Sequence, residues 1–351
     1  MTESRYDPSA LAAWAAEALE TRGADPGKAR ATAEVLVEGD LLGHDTHGLF
    51  LLAPYLQKLS EGGLKGSGAP EVLSDRPAAL LWDGDRLIGP WLVVEAIRQA
   101  SERAHDLGQA SLVIRRSGHI ACLAAYLEAP ARDGLMVEIW SSDPSEASVA
   151  PFGGREAVFT PNPLAIGFPT SGDPVMIDIS ASITTNGMSN RLAAAGERFP
   201  GDWLLDGRGA PTDDPRVFAE DPPGTIQLLG GRDAGHKGYG LTLAVEALTG
   251  GLAGYGRADG HKGWGATVMV RVTDPAAFGG LDAFSRQTGW VADACRASAP
   301  VPGGAPVRLP GERGLALKRD ALARGVALHP LVEDVVKRVS GELDLKPPVP
   351  M

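Results

Sequence analysis

Several short segments carry residue types that can do chemistry. The first is GHDTHG (43–48), two histidines with an aspartate and a threonine between them. An imidazole with an ordinary pKa near ~6.5 suits general acid or base work at neutral pH. The pair can also ligate a metal. The spacing is not H-E-x-x-H, however, and no third ligand stands nearby in the chain, so no metal is expected. A plain polar junction is the competing reading, with Asp45 capping a helix that starts after Gly48. SGHIACLAAY (117–126) places His119 where an apolar strand ends and a helix begins. Ligands meet backbone N–H groups at such junctions; a solvated loop histidine is the plainer alternative. Cys122, inside the apolar stretch, reads as a small buried hydrophobe.

FTPNPLAIGFP (159–169) flanks Asn162 with prolines. This predicts a rigid non-helical loop whose Asn either completes its own turn or hydrogen-bonds a ligand. VMIDISAS (175–182) is an apolar strand interrupted by Asp178. A carboxylate there is costly unless paired, so it either orients a histidine or bridges to an arginine. GHKGYG (235–240) sets His236 and Lys237 in a glycine-rich turn read as preceding a helix from Gly238. A cation beside open N–H groups at a helix start suits an anion, and the same turn can be merely flexible. RLPGERG (308–314) is a turn with exposed charges and says little alone.

The elements that must position these residues follow from periodicity and punctuation. Asp7-Pro8 and Asp25-Pro26 each signal a helix start, and Leu49–Leu59 reads as a third helix, so the first 65 or so residues are helical. GGLKGSGAP (62–70) is a linker. Strands are then expected at Ala78–Trp82, Ser111–Arg115, Leu135–Trp140, Val175–Ile179 and Ala266–Val272. Helices are expected at Trp91–Asp106, Leu123–Arg132, 276–297, 315–324 and 331–341. The alternation predicts an α/β (α+β) fold. No G-x-G-x-x-G follows a strand and GHKGYG is not a phosphate-binding loop of the Walker type, so a Rossmann domain is not expected.

Composition bounds the function. The chain has 351 residues, suggesting two domains. A net charge of −11 argues against non-specific nucleic-acid binding. Two cysteines exclude a disulfide-dense scaffold and a four-cysteine zinc site. No apolar run reaches the ~20 residues of a membrane span. The opening MTESRYDPSA lacks the pattern of a signal peptide, so a cytoplasmic enzyme is expected.

Taken together, GHDTHG, SGHI, APFGGRE (150–156), PNPLAIGFP, IDISAS, DWLLDGRGAPTDDP (202–215), GHKGYGL and LPGE follow one another as in the type 2 malate/L-lactate dehydrogenases. The chain resembles this family from about residue 7 to 343, most of all its hydroxycarboxylate dehydrogenase B branch. The resemblance implies NAD- or NADP-dependent interconversion of a 2-hydroxy and a 2-oxo acid, or reduction of a cyclic imine. It implies a homodimer acting on a small molecule. It also implies a non-Rossmann cofactor domain (71–314) packed against a helical domain made from both chain ends (1–70 and 315–351). His47 falls on the family's proton donor, Thr46 on the serine before it, and Asp178 on a relay or orienting acid. His119 falls beside nicotinamide and substrate. Ser141, Asn162, Asp178, Ile179, Ser180, His236, Lys237, Gly311 and Glu312 fall in cofactor-binding segments.

Three positions depart from the family. Leu51, Cys122 and Met188 stand where members carry Arg, Arg and Lys, although the nearest branch also lacks the first. An Arg–carboxylate clamp is a strong source of orientation. Its loss from the substrate-side positions Leu51 and Cys122 points to a less acidic or bulkier substrate, unless Arg116 or Arg191 takes over. A member that binds a ligand without turnover is the remaining alternative.

Overall fold

Asp7 accepts hydrogen bonds from the N–H groups of Ser9 (2.7 Å) and Ala10 (3.0 Å), and Pro8 occupies the first helical position of Pro8–Thr21. Asp25-Pro26 opens Pro26–Leu41 in the same way, without a side-chain cap. The computed structural model describes residues 4–260 and 263–351. The first three residues of the opening segment therefore lie outside it.

Arg5–Tyr6 pairs antiparallel with Val326–Ala327, which brings the two ends of the chain together. Trp14 then donates from Nε1 to Ser340 Oγ at 3.0 Å, and Lys318 bridges Glu38 (2.6 Å) and Glu128 (2.8 Å). The closing helices run Glu312–Arg324 and Pro330–Leu343. Their buried Leu315, Val332, Val336 and Val339 join one apolar cluster with Leu11, Leu19 and Leu36 of the first two helices.

That cluster continues without a break into a seven-stranded sheet. Its order is Glu71–Arg76, Ala79–Asp83, Gln109–Ser117, Ala266–Thr273, Met136–Ser142, Pro163–Phe168, Val175–Ser180. The single parallel pairing joins Ala79–Asp83 to Gln109–Ser117 across the helix Gly89–Leu107; every other pairing is antiparallel. Leu112, Ile114, Val268 and Val270 are fully buried at its centre, each stabilising the fold by about 1.5–3 kcal/mol. The edge strand Glu71–Arg76 is charged and exposed, so no apolar alternation announced it. Pro163 is the first residue of its strand, a position that needs no ladder N–H. The stretch expected as a loop therefore turns into strand after Asn162. The helix expected over Leu123–Arg132 is split into a 3-10 turn, Leu123–Tyr126, and a short helix, Glu128–Arg132.

A second, smaller apolar cluster gathers Val149, Phe159, Phe199, Leu204, Val217, Ile226 and Leu228 around a three-stranded sheet. The helix Gly231–Glu246 leads out of this region. Its start corrects the sequence expectation, since His236 and Lys237 lie inside the helix, not in a turn before it. The glycines there serve close approach. A Cβ on Gly238 would lie 2.5 Å from the Leu229 carbonyl oxygen, and one on Gly235 would lie 3.0 Å from the Phe152 ring. Gly230 (φ 97°) and Gly231 (φ 58°) make the left-handed entry instead.

Candidate active site

The GHDTHG segment forms a tight turn after the second helix. His44 N–H bonds to the Gly39 carbonyl and His47 N–H to the His44 carbonyl, each at 2.8 Å. The helical turn that follows is held by Asp40, whose Oδ2 accepts Leu49 N–H at 2.7 Å. Asp45, expected as that cap, is engaged elsewhere: Arg191 Nη1 reaches both its oxygens at 3.0 and 3.1 Å. Burial pushes Asp40 up to about 8; the Leu49 N–H opposes this and the nearby Asp45 adds to it.

His47 sits half-buried with Nδ1 2.9 Å from Thr46 Oγ1, leaving Nε2 with no hydrogen-bond partner among the described residues. Gly187 borders the ring, where a Cβ would lie 3.7 Å from Cε1. Burial, reinforced by His44 and opposed by Asp45, pushes the imidazole down to about 4. The ring stacks at 6.0 Å and 27° on His119, which in turn stacks at 4.5 Å and 16° on Trp264. Ala121 N–H donates to His119 Nδ1 at 3.1 Å, so the neutral ring carries its proton on Nε2. Tyr55 OH fixes the same residue through its carbonyl oxygen at 2.5 Å. Ala121, whose N–H meets the ring, adopts a left-handed conformation with φ 56°. Burial, then His47, pushes His119 down to about 3.

Asp178 is placed differently from the expectation that it orients His47. Its Oδ2 accepts Ala124 N–H at 2.8 Å and faces Cys122 Sγ at 4.0 Å, and the histidine grouped with it is His44. Thr46 holds the His47 ring. Burial raises the Asp178 carboxyl above the usual range, opposed by His44 and the Ala124 N–H. Cys122 is buried, and burial together with Asp178 pushes its thiol up. Leu51 packs against the main core, while Met188 stands exposed at the start of the helix Asn186–Ala195. Arg116 is held by Asp83 at 2.8 Å and Arg191 by Asp45, so both candidate replacement clamps are already paired.

The residues expected in cofactor segments differ in exposure. Asn162 is fully buried at φ 48°. Its Oδ1 accepts from Thr160 Oγ1 (2.7 Å) and its Nδ2 donates to Glu246 (2.9 Å), so the amide organises the strand entry from beneath. Ser141 is likewise buried in the sheet opposite Val268, and Ser180 Oγ donates to the Ser182 carbonyl. Ile179, His236 and Lys237 are exposed. Gly311 (φ 93°) packs on Met176, and Glu312 bonds Arg296 (2.5 Å) and Leu309 N–H (2.9 Å), which outweigh its burial and lower its pKa. A cavity of about 320 Å³ opens beside the start of Gly231–Glu246. Phe152, Gly153, Gly154, Gly209, Gly231 and Arg232 line it, and the helix has no side-chain cap. Uncapped N–H groups beside an arginine and small residues fit an anionic portion of a nucleotide.

Tyr55, Trp264 and Asp40 lie around the imidazoles and their turn, yet none was singled out as a site residue from sequence, and Arg191 was named only as a replacement clamp. Only Asp40, an acid at the end of an apolar helix, carried a local signal.

A family model for malate/L-lactate dehydrogenase matches residues 6–337. The chain belongs to this family. As a malate/L-lactate dehydrogenase family member it is an enzyme of the dehydrogenase/reductase kind. Hydroxycarboxylate dehydrogenase B of Escherichia coli is 29% identical over 331 residues, covering 92% of this chain and 90% of its own length. Delta(1)-pyrroline-2-carboxylate reductase of Pseudomonas fluorescens is 31% identical over 335 residues, covering 91% and 94%. The crystal structure of malate dehydrogenase from Entamoeba histolytica superposes with a TM-score of 0.92 over 99% of this chain and all of that one. At 22% identity that likeness is one of fold.

Proposed function

We propose that this family member interconverts a 2-hydroxy acid and its 2-oxo acid with NAD or NADP, and that His47 moves the proton. The observation that carries the reading is a desolvated imidazole with an unpartnered Nε2, stacked against His119 and Trp264. The dinucleotide, when bound, supplies or takes the hydride. In the oxidation direction the neutral ring accepts the hydroxyl proton at Nε2 while Nδ1–H donates to Thr46 Oγ1. In reduction the charged ring returns it. Burial keeps His47 neutral at pH 7, so the protein rests ready for oxidation. A substrate carboxylate beside the ring favours the charged form that reduction requires.

The dinucleotide is held, in this reading, over Ile179 and Ser180, against the Gly311–Glu312 loop and by His236 and Lys237. The cavity at the start of Gly231–Glu246 takes one anionic part. The α/β unit of 71–314 is the cofactor domain, of non-Rossmann type, and both chain ends form the helical domain against it. The enzyme works as a cytoplasmic homodimer.

The test is to follow NADH and NADPH oxidation against panels of 2-oxo acids and cyclic imines. Turnover of 2-oxo acids is expected, with His47→Ala slower by about 10²–10⁴-fold while dinucleotide binding persists. Preference for the imine panel, no turnover, or loss of dinucleotide binding in His47→Ala refutes the assignment.

A further inference from the structure

The histidine pair of GHDTHG lacks a third metal ligand in sequence, but the fold supplies two. His44 stands on the turn after Pro26–Leu41, Cys122 precedes the turn Leu123–Tyr126, and Asp178 lies on the edge strand Val175–Ser180. One imidazole nitrogen, the thiol sulfur and one carboxylate oxygen of these residues all lie within 4.8 Å of one another. Other partners occupy them little. Among the described residues, no lysine or arginine pairs with Asp178, and its carboxylate takes one backbone N–H, from Ala124. Cys122 forms no disulfide, and the His44 side chain makes no hydrogen bond among the described residues. His44 is exposed while Cys122 is buried, so the group has an outer ligand, an inner ligand and a path in for an ion.

We propose that His44, Cys122 and Asp178 form a binding site for one zinc ion. The donor set selects the metal. Imidazole nitrogen, thiolate sulfur and carboxylate oxygen together suit a borderline-soft cation, whereas magnesium and calcium take oxygen ligands. Charge supports the choice, because thiolate and carboxylate together balance a divalent ion and leave a neutral assembly in a place where net charge is costly. The thiol gives up its proton on binding, so affinity rises with pH. Zinc–ligand bonds of about 2.0–2.3 Å bring ligand atoms closer together than these are, so the side chains draw in as the ion binds. Three protein ligands leave zinc a fourth position for water or a substrate oxygen. His44 belongs to the same turn as His47, whose N–H bonds the His44 carbonyl at 2.8 Å.

The experiment is calorimetric titration of the chelator-stripped full chain with zinc chloride, alongside the cobalt(II) absorption spectrum. One ion per chain is expected, with a thiolate-to-cobalt charge-transfer band. Cys122→Ser and His44→Ala should each weaken binding more than about 100-fold, the upper end for losing merely a ligand's hydrogen-bond partner. His44→Ala changes an exposed side chain, so its fold, checked by circular dichroism, persists even where Cys122→Ser is destabilised. No stoichiometric binding, a cobalt spectrum without the thiolate band, or unchanged affinity in His44→Ala overturns the site. The dehydrogenase reading is judged separately. A chain that binds zinc but turns over no substrate sinks that reading alone, and one that turns over 2-oxo acids but binds no zinc sinks this inference alone.

Discussion

The depressed pKa of His47 makes a quantitative demand on the pH profile. Burial moves the imidazole from 6.5 to about 4, which corresponds to about 3 kcal/mol against charging it. The sign follows from the direction. A lowered pKa keeps the base form present at every pH above about 4, so hydroxy-acid oxidation stays active as the solution is acidified through pH 6 and 5. An unshifted histidine would be about 97% charged at pH 5, and oxidation would be about 30-fold slower there than with the buried ring. The assay is kcat/KM for the hydroxy acid between pH 4 and 8 at saturating NAD(P)+, since this parameter reports the groups of the enzyme form that the hydroxy acid meets. The expected curve is flat down to about pH 5 and falls near 4. In reduction the trend reverses, and the rate rises as pH falls. Stability needs its own control. His47 and His119 are both held neutral in the fold, whereas unfolded histidines charge below about 6.5, so stability declines from pH 6.5 toward the folded values. Samples held at each pH and returned to pH 7 separate unfolding from titration. A reversible acid limb centred near 6.5 in folded protein would refute the claim that desolvation sets the state of His47.

Two further outcomes follow from geometry. A Cβ at Gly48 would lie 2.4–2.6 Å from the Asp40 carboxylate that caps Leu49, so Gly48→Ala should cost about 1–3 kcal/mol in urea unfolding and lower kcat/KM by displacing His47; a variant with unchanged unfolding would remove Asp40 from the loop's support. Lys237→Ala removes an exposed cation from inside a helix, and should weaken NAD(P)H about 10-fold or more in fluorescence titration with folding unchanged. Equal affinity would take Lys237 out of the cofactor site.

Legibility in the sequence followed the kind of signal each element carries. Ser111–Arg115 and Ala266–Val272 were readable because central strands buried on both faces are almost continuously apolar, and both lie within observed strands. Glu71–Arg76 was not, because an edge strand facing solvent has no apolar side to display. Glycine misled in GHKGYG. There it marks backbone approach to Leu229 and ring contact with Phe152, and nothing local separates that use from a turn. Within the candidate site, GHDTHG and SGHI stood out in the sequence because the polar residues of each segment are neighbours in the chain. The placement of Asp178 did not. Cys122 and Asp178 are 56 positions apart, and a register set by the sheet decides which histidine the carboxylate meets. Sequence distinguishes His44 from His47 only by alignment with a family, whereas the fold distinguishes them by surroundings, one exposed beside a thiol and a carboxylate, the other half-buried beside a stack of rings.

The position of His47 is also a long-range property, and one arginine shows how. Arg191 projects from the helix Asn186–Ala195, which follows the edge strand that carries Asp178. Its Nη1 grips Asp45 in the GHDTHG turn, and its Nη2 lies 3.2 Å from Nε2 of His329, the residue that caps the final helix Pro330–Leu343. One guanidinium thus joins the proposed proton-transfer turn, the end of the sheet and the C-terminal helix. A planar fork with several donors can hold such partners in fixed relation; a lysine, a single point charge, would not. The terminal helices share the buried cluster of the sheet, so the turn is anchored from below by packing and from the side by Arg191. That double anchorage accounts for a polar loop sitting still enough to keep an imidazole desolvated. Desolvation opposes the charged ring at every pH, and only a turn whose alternatives are blocked on both sides holds the ring in place against that cost.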